Sequence, residues 1–232
     1  MMKRLTIAGL LATAGMYLAW LWYTGALNFY ILPRFGGIVL ATGIIFMGLA
    51  AALLFWKKGW HNIEHHVPTT SLLPFVLLLA CIFFVAPQSL SSVSLEQRGA
   101  DLDLSNVKVT ATKGFIRDSS KRTFSDWVNI LGSSHNPRKY EDDAVRVKGF
   151  VYRTENMPED EFYAARFLVR CCSADASPIV LRVKYANAAE LQNDTWVDIT
   201  GVIAHDQNPE QPVYIDMQSY DIIDMPKIPY IY

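Results

Sequence analysis

Residues 145–152 read VRVKGFVY. Apolar and polar side chains alternate, the period of a strand with one buried face. A glycine inside such a run, here Gly149, weakens a strand unless the chain must bend or another backbone must come close. The combination recurs in residues 195–204, TWVDITGVIA, around Gly201. Outward from these two, residues 162–172, 179–185 and 213–223 also read as strands, with a short helical stretch at 186–192. Five strands, two of them interrupted by glycine, suit a small closed barrel of OB-like type. A sandwich is the alternative.

The stretch before the strands, KRTFSDWVNILGSS at 121–134, reads as a helix. Thr123 or Ser125 is its expected cap, Asp126 lies in its first turn and Gly132 is its expected stop. Trp127, Ile130 and Leu131 would form its apolar face. A helix plus barrel is therefore expected over 123–232. Residues 88–122 are expected to be a linker and an extended arm, with alternation over 102–112.

The N-terminal part has a different composition. Residues 1–87 carry Lys3, Arg4, Arg34, Lys57 and Lys58 against Glu64 alone, so the remaining 16 basic and 21 acidic residues fall in 88–232. The net charge of -1 thus joins a basic part to a mildly acidic one. An acidic domain speaks against nucleic acid, which needs a cationic face.

Three apolar runs lie in 1–87, at about 5–24, 35–56 and 71–87. Twenty helical residues span about 30 Å, the hydrocarbon thickness of a bilayer. Runs that cross lipid must be helical, since their backbone has no water to bond. The expected fold class is therefore membrane-anchored α + β, with three transmembrane helices followed by the barrel. The first run has a basic start, but it is longer than a signal-peptide core and no clear A-x-A site follows, so it is read as retained. Small residues recur in the second run (Gly36, Gly37, Ala41, Gly43, Gly48, Ala52), as at close helix contacts.

Lys3 and Arg4 precede the first run, and Lys57 and Lys58 follow the second. Positive residues collect on the cytoplasmic side, which puts the N-terminus there. Three crossings then place the barrel outside the cytoplasm, whereas two, with the short third run not crossing, would place it inside. The loop KKGWHNIEHHVP at 57–68 holds His61, His65 and His66, three of the chain's five histidines. Imidazoles four apart on a helix share a face and suit zinc or copper. Residues 61–65 also match H-x-x-E-H, but a short loop between membrane helices offers no proteolytic cleft. The plain alternative is a headgroup-level loop anchored by Trp56 and Trp60.

The remaining feature is RCCSADAS at 170–177. Cys171 and Cys172 are adjacent, and the chain has three cysteines in all. If the strand runs on to 172, the two thiols point to opposite faces, one toward the core. Cys171, Cys172 and Asp175 would offer two thiolates and a carboxylate to a soft metal, zinc or copper. His135 and His205 are candidates to complete four ligands. Three readings stand open: structural thiols with Asp175 capping a turn, a metal or redox site, or a strained vicinal disulfide. Arg166 and Arg170 flank the pair and are placed to lower a thiol pKa. No nucleophile-elbow or phosphate-loop motif occurs, and no enzymatic activity is expected. The acidic runs Glu159, Asp160, Glu161 and Asp142, Asp143 read as solvated turns.

Several segments together resemble one family. They are NFYILPR at 28–34, the histidines at 61–66, VKGFV at 147–151, R-F-x-x-x-C-C-S-A-D at 166–175, W-V-x-I-x-G at 196–201 and the tail 226–232. The core Cys172, Ala174, Asp175 is the most telling. The chain resembles the YcgQ-like family, whose members join a membrane anchor, often with a His-rich loop, to a C-terminal domain of unknown function. The resemblance implies an accessory subunit of a permease. Its partners would be a polytopic permease and membrane lipid, with no nucleic acid, and it supplies no substrate. With only three histidines in its loop, this chain departs from the richer members, which weakens the carry-over of metal binding there, though His61, His65 and His66 stay candidate ligands beside Cys171, Cys172 and Asp175. A metal-binding membrane protein, or an extracytoplasmic thiol sensor, is the competing expectation.

Overall fold

A computed structural model describes residues 2–55, 73–99, 118–134, 136–207 and 212–232. The chain divides into two units, residues 1–89 and 90–232.

In the first unit, α1 (Met2–Thr24) and α2 (Gly36–Phe55) make up most of the two stretches long and apolar enough to cross a membrane, Arg4–Thr24 and Pro33–Phe55, 21 and 23 residues respectively. The two helices meet where side chains vanish. A Cβ on Gly15 would stand 2.7 Å from the Gly43 carbonyl oxygen, and one on Gly43 would stand 3.1 Å from that of Gly15. Gly37 and Gly48 face open space instead. Gly15 and Gly43 thus mark the close approach of the two long helices. The hydroxyls of Thr13, Thr24 and Thr42 donate to carbonyls one turn back, so they need no water. The Arg4 guanidinium donates to the Leu53 carbonyl, which joins the start of α1 to the last turn of α2.

The expected third span is shorter than the sequence suggested. It is helical as α3 (Leu73–Phe84), 12 residues or roughly 18 Å at 1.5 Å per residue. That falls short of a bilayer's hydrocarbon thickness. Trp56, Lys57, Lys58, Trp60 and the histidine loop lie outside the described residues, as does the arm expected over 102–112.

The second unit opens with a helix where a linker was expected. Residues 92–98 form α4 (Ser92–Arg98), too short for a periodic signal. Tertiary bonds hold it: the Ser92 N–H and hydroxyl both donate to the Asp194 carboxylate, at 2.6 and 2.8 Å. Its Leu95 is fully buried.

Helix α5 (Phe124–Ser133) starts as expected. The Thr123 hydroxyl accepts from Asp126 N–H while the Asp126 carboxylate accepts from Thr123 N–H, a reciprocal capping box. The helix runs one residue past Gly132, the expected stop. Phe124, Trp127 and Val128 join the barrel core, and Leu131 packs at its edge.

Five strands close a barrel in the order β1-β2-β3-β5-β4. They are β1 (Ala144–Tyr152), β2 (Glu161–Leu168), β3 (Ser177–Lys184), β4 (Trp196–His205) and β5 (Val213–Ile222). Every neighbouring pair is antiparallel except β3 with β5. A barrel, not a sandwich, is the architecture. Both glycines act as the sequence required. Gly201 sits at the register shift between β4 and β5, where a Cβ would collide with the Asp216 carbonyl. At Gly149 a Cβ would come within 3.0 Å of the Ala165 carbonyl oxygen.

The interior is apolar, with Val147, Phe162, Leu181, Val183, Ile199 and Ile215 in it. Opposite parity puts Phe150 on the outer face, stacked on Phe167 at 5.9 Å. That face is also buried. Tyr230 of the tail meets Phe167 edge-on at 6.4 Å, and Ile231 exchanges backbone bonds with Phe167 and Val169. The Tyr230 hydroxyl accepts from the Leu90 N–H at 2.9 Å. The tail thus extends the sheet beyond β2.

Candidate functional site

Strand β2 ends at Leu168, four residues before the expected limit; the next residue, Val169, donates to the Ile231 carbonyl of the tail, and the chain then enters the turn to β3. The strand parity expected for the cysteines therefore does not apply. Neither is core: Cys171 is exposed and Cys172 is half-buried. They lie in the connection to β3, which tightens into a single helical turn at Ser173–Asp175.

Asp175 organises this connection. Its carboxylate accepts from the backbone N–H groups of Arg170 at 3.0 Å and Cys171 at 2.7 Å, while its own N–H donates to the Cys172 carbonyl at 3.0 Å. Such a turn brings Cys171, Cys172 and Asp175 close together. The two sulfurs are 3.6 Å apart as free thiols, and the donor atoms of Cys171, Cys172 and Asp175 all lie within 4.8 Å of one another. The three residues singled out from the sequence are together. His205 stands at the end of β4 and is not among these donors. His61, His65, His66 and His135 lie outside the described residues.

The electrostatics run against the expectation of an activated thiol. The Cys171 thiol is pushed up to about 11, first by its hydrogen bond to Asp175, then by Cys172. Burial raises the Asp175 carboxyl, but hydrogen bonds from the Cys171 thiol and from the N–H groups of residues 170–172 hold it below the usual range. Arg166 is not available to lower a thiol pKa. Its guanidinium is turned to the carbonyls of Ile228 and Pro229, at 3.1 and 2.9 Å, and lies over the Trp196 ring. Burial brings its own pKa down to about 10.

The donor set fits a thiophilic cation. Two sulfurs and a carboxylate oxygen are the ligand types zinc and copper accept, and three donors leave one tetrahedral position open. A thiol held protonated must release its proton when metal binds.

Two features were missed in the sequence. One is Arg98, at the end of the unexpected α4. Its guanidinium donates to the carbonyls of Ser173 at 3.0 Å, Ala174 at 3.4 Å and Ala176 at 2.7 Å. The other is an ion cluster on β2, β3 and β4. Glu161, read as part of a solvated acidic run, is buried and paired with Arg182, which also meets Asp206, while Lys184 meets both acids. The available signal was an arginine inside the apolar run IVLRVK at 179–184.

A family described as the DUF1980 C-terminal domain matches residues 106–232. Among curated proteins, the UPF0703 protein YcgQ of Bacillus subtilis (strain 168) is 23% identical over 127 residues, which cover 51% of this chain and 44% of that protein. The match thus spans less than half the length of that relative. Among solved structures, asparaginyl-tRNA synthetase from Pyrococcus horikoshii aligns at 14% identity over 39% of this chain and 23% of that one. Its TM-score of 0.24 is too low to bear on fold or function. The helix, the barrel and the Cys-Cys-Ser-Ala-Asp turn all fall within the matched residues, and by them this chain belongs to the DUF1980 family of YcgQ-like proteins.

Proposed function

We propose that this protein is a membrane-anchored accessory subunit that offers a thiophilic cation, zinc or copper, to a polytopic permease. One observation carries the reading: Cys171, Cys172 and Asp175 present three ligand atoms within 4.8 Å on one partly exposed turn. Three donors with an open position suit exchange better than permanent storage, since closed structural zinc sites hold four. The anchor would be α1 and α2, with the third apolar run, at about 71–87, as a further crossing. With Lys3, Arg4, Lys57 and Lys58 cytoplasmic, the barrel then stands outside the cytoplasm, where it meets incoming cations.

The strand order with its one parallel pair supports an OB-like description of the barrel. In such barrels the strand 2–3 face often binds oligomeric ligands. Here much of that face is buried under the chain's own tail and α4, so attention moves to the turn at the end of β2. The thiol-sensor reading is weaker, because a thiol pushed up to about 11 is mostly un-ionised, and so slow to react, at neutral pH.

The test is purification of the full chain from its native membranes in mild detergent. Bound metal is quantified and co-purifying proteins are identified. The reading expects a polytopic partner, and about one zinc or copper per chain that Cys172→Ser abolishes. Metal-free protein that fails to take up either ion, recovered without any partner, would sink it.

A further inference from the structure

We infer that Arg98 is the positioning residue of the thiol turn, and that it couples cation occupancy there to the docking of α4. The inference rests on the cation-binding reading above and names how that site is controlled. A cation must hold two sulfurs and a carboxylate at once, so the turn that carries them must keep one shape. Arg98 holds that turn through the carbonyls of Ser173, Ala174 and Ala176, whose residues adjoin Cys172 and Asp175. One planar guanidinium with several fixed N–H groups can bridge three carbonyls, which an ammonium cannot do equally well.

Arg98 is also the last residue of α4, and Gly99 follows with φ +70°, which ends the helix. The other end of α4 is fixed by the Ser92 bonds to Asp194. The short helix therefore has two tethers, and one of them is the back of the donor turn. Whatever loosens α4 loosens the turn, and a cation that stiffens the turn secures α4. By thermodynamic reciprocity the two effects are equal in size.

The experiment uses the full chain in detergent with Zn²⁺ alone as probe, its affinity read by competition with a chromogenic chelator. Wild type, Cys172→Ser, Arg98→Gln and Arg98→Lys are compared, with hydrogen exchange of the 92–98 amides measured with and without Zn²⁺. The expected result is Zn²⁺ binding by wild type that is lost in Cys172→Ser. It weakens about tenfold in Arg98→Gln, within the usual range of coupling between sites, and less in Arg98→Lys. Zn²⁺ should also slow exchange across α4 in wild type and not in Cys172→Ser. The exchange measurement decides the matter even if the Arg98 variants fail to fold. Wild-type binding that depends on Cys172 but leaves α4 exchange and the Arg98→Gln affinity unchanged overturns the coupling and spares the site. Absence of Zn²⁺ binding by wild type overturns both.

Discussion

Arg182 and Glu161 face each other on neighbouring strands in a two-pronged pair, Nε to Oε2 at 2.8 Å and Nη2 to Oε1 at 2.5 Å, with both side chains buried. A planar fork meeting a carboxylate in this way is the strongest geometry such a pair has. Glu161→Gln removes the two-pronged partner of buried Arg182 and leaves it with Asp206, at 2.8 Å. The substitution is therefore expected to destabilise the barrel by about 1.5–3 kcal/mol, the range of a lost hydrogen bond to a charged group. Thermal unfolding of the solubilised chain checks this, and an unchanged midpoint would refute it.

The same pair sets an acid limit. Hydrogen bonds from Arg182, outweighing burial, hold the Glu161 carboxyl below its ordinary value. A carboxyl depressed in the folded state contributes stability that is complete above its unfolded pKa of about 4.3 and is lost as pH falls through the folded value. Unfolding midpoints should thus fall below about pH 4 in wild type, and less steeply in Glu161→Gln. Parallel curves for the two proteins would rule Glu161 out as the source.

The glycines separate into required and indifferent positions. Gly201→Ala drives a Cβ into the Asp216 carbonyl and should cost about 1–3 kcal/mol, as overpacking does. Gly15→Ala should loosen α1 from α2 by forcing the backbones apart at Gly43, whereas Gly48→Ala, with nothing within 4 Å, should leave them unchanged. Heat-induced aggregation in detergent ranks the three against wild type. Loss of stability in Gly48→Ala equal to that in Gly15→Ala would contradict the packing.

Cys171 should alkylate slowly at pH 7.5, roughly tenfold or more below a free cysteine, because its thiolate fraction is small. Asp175→Asn removes the first cause of that shift and should speed the reaction. Mass spectrometry of iodoacetamide adducts over time gives both rates. A wild-type thiol as fast as glutathione would revive the sensor reading.

Much of the barrel was legible because alternation marks a half-buried strand wherever pairing is continuous. Gly149 and Gly201 announced the close contacts that the strands make. The far end of β2 was not legible, since Val169 pairs with Ile231, a contact that no local pattern encodes. Helix α4 was hidden for the same reason: seven residues with one buried leucine carry no period, and distant Asp194 holds them. Composition brought out Cys171, Cys172 and Asp175, but their convergence depends on a turn shaped by backbone N–H groups. Arg166 was misjudged because it lies five residues before Cys171 in sequence, whereas the tail carbonyls, some 60 residues on, hold its guanidinium.

The tail has a consequence for the order of events during synthesis. Tyr230 receives the Leu90 N–H across 140 positions, and Ile231 completes the sheet beside Phe167 and Val169. Contacts so remote in sequence form late, since the intervening loop must close before they are rewarded. A nascent chain that has emerged only as far as β5 already holds all five strands, yet it still exposes the aromatic face of Phe150 and Phe167. Until residues 230 and 231 arrive, this domain is open to chaperones, to proteases and to mispairing along β2.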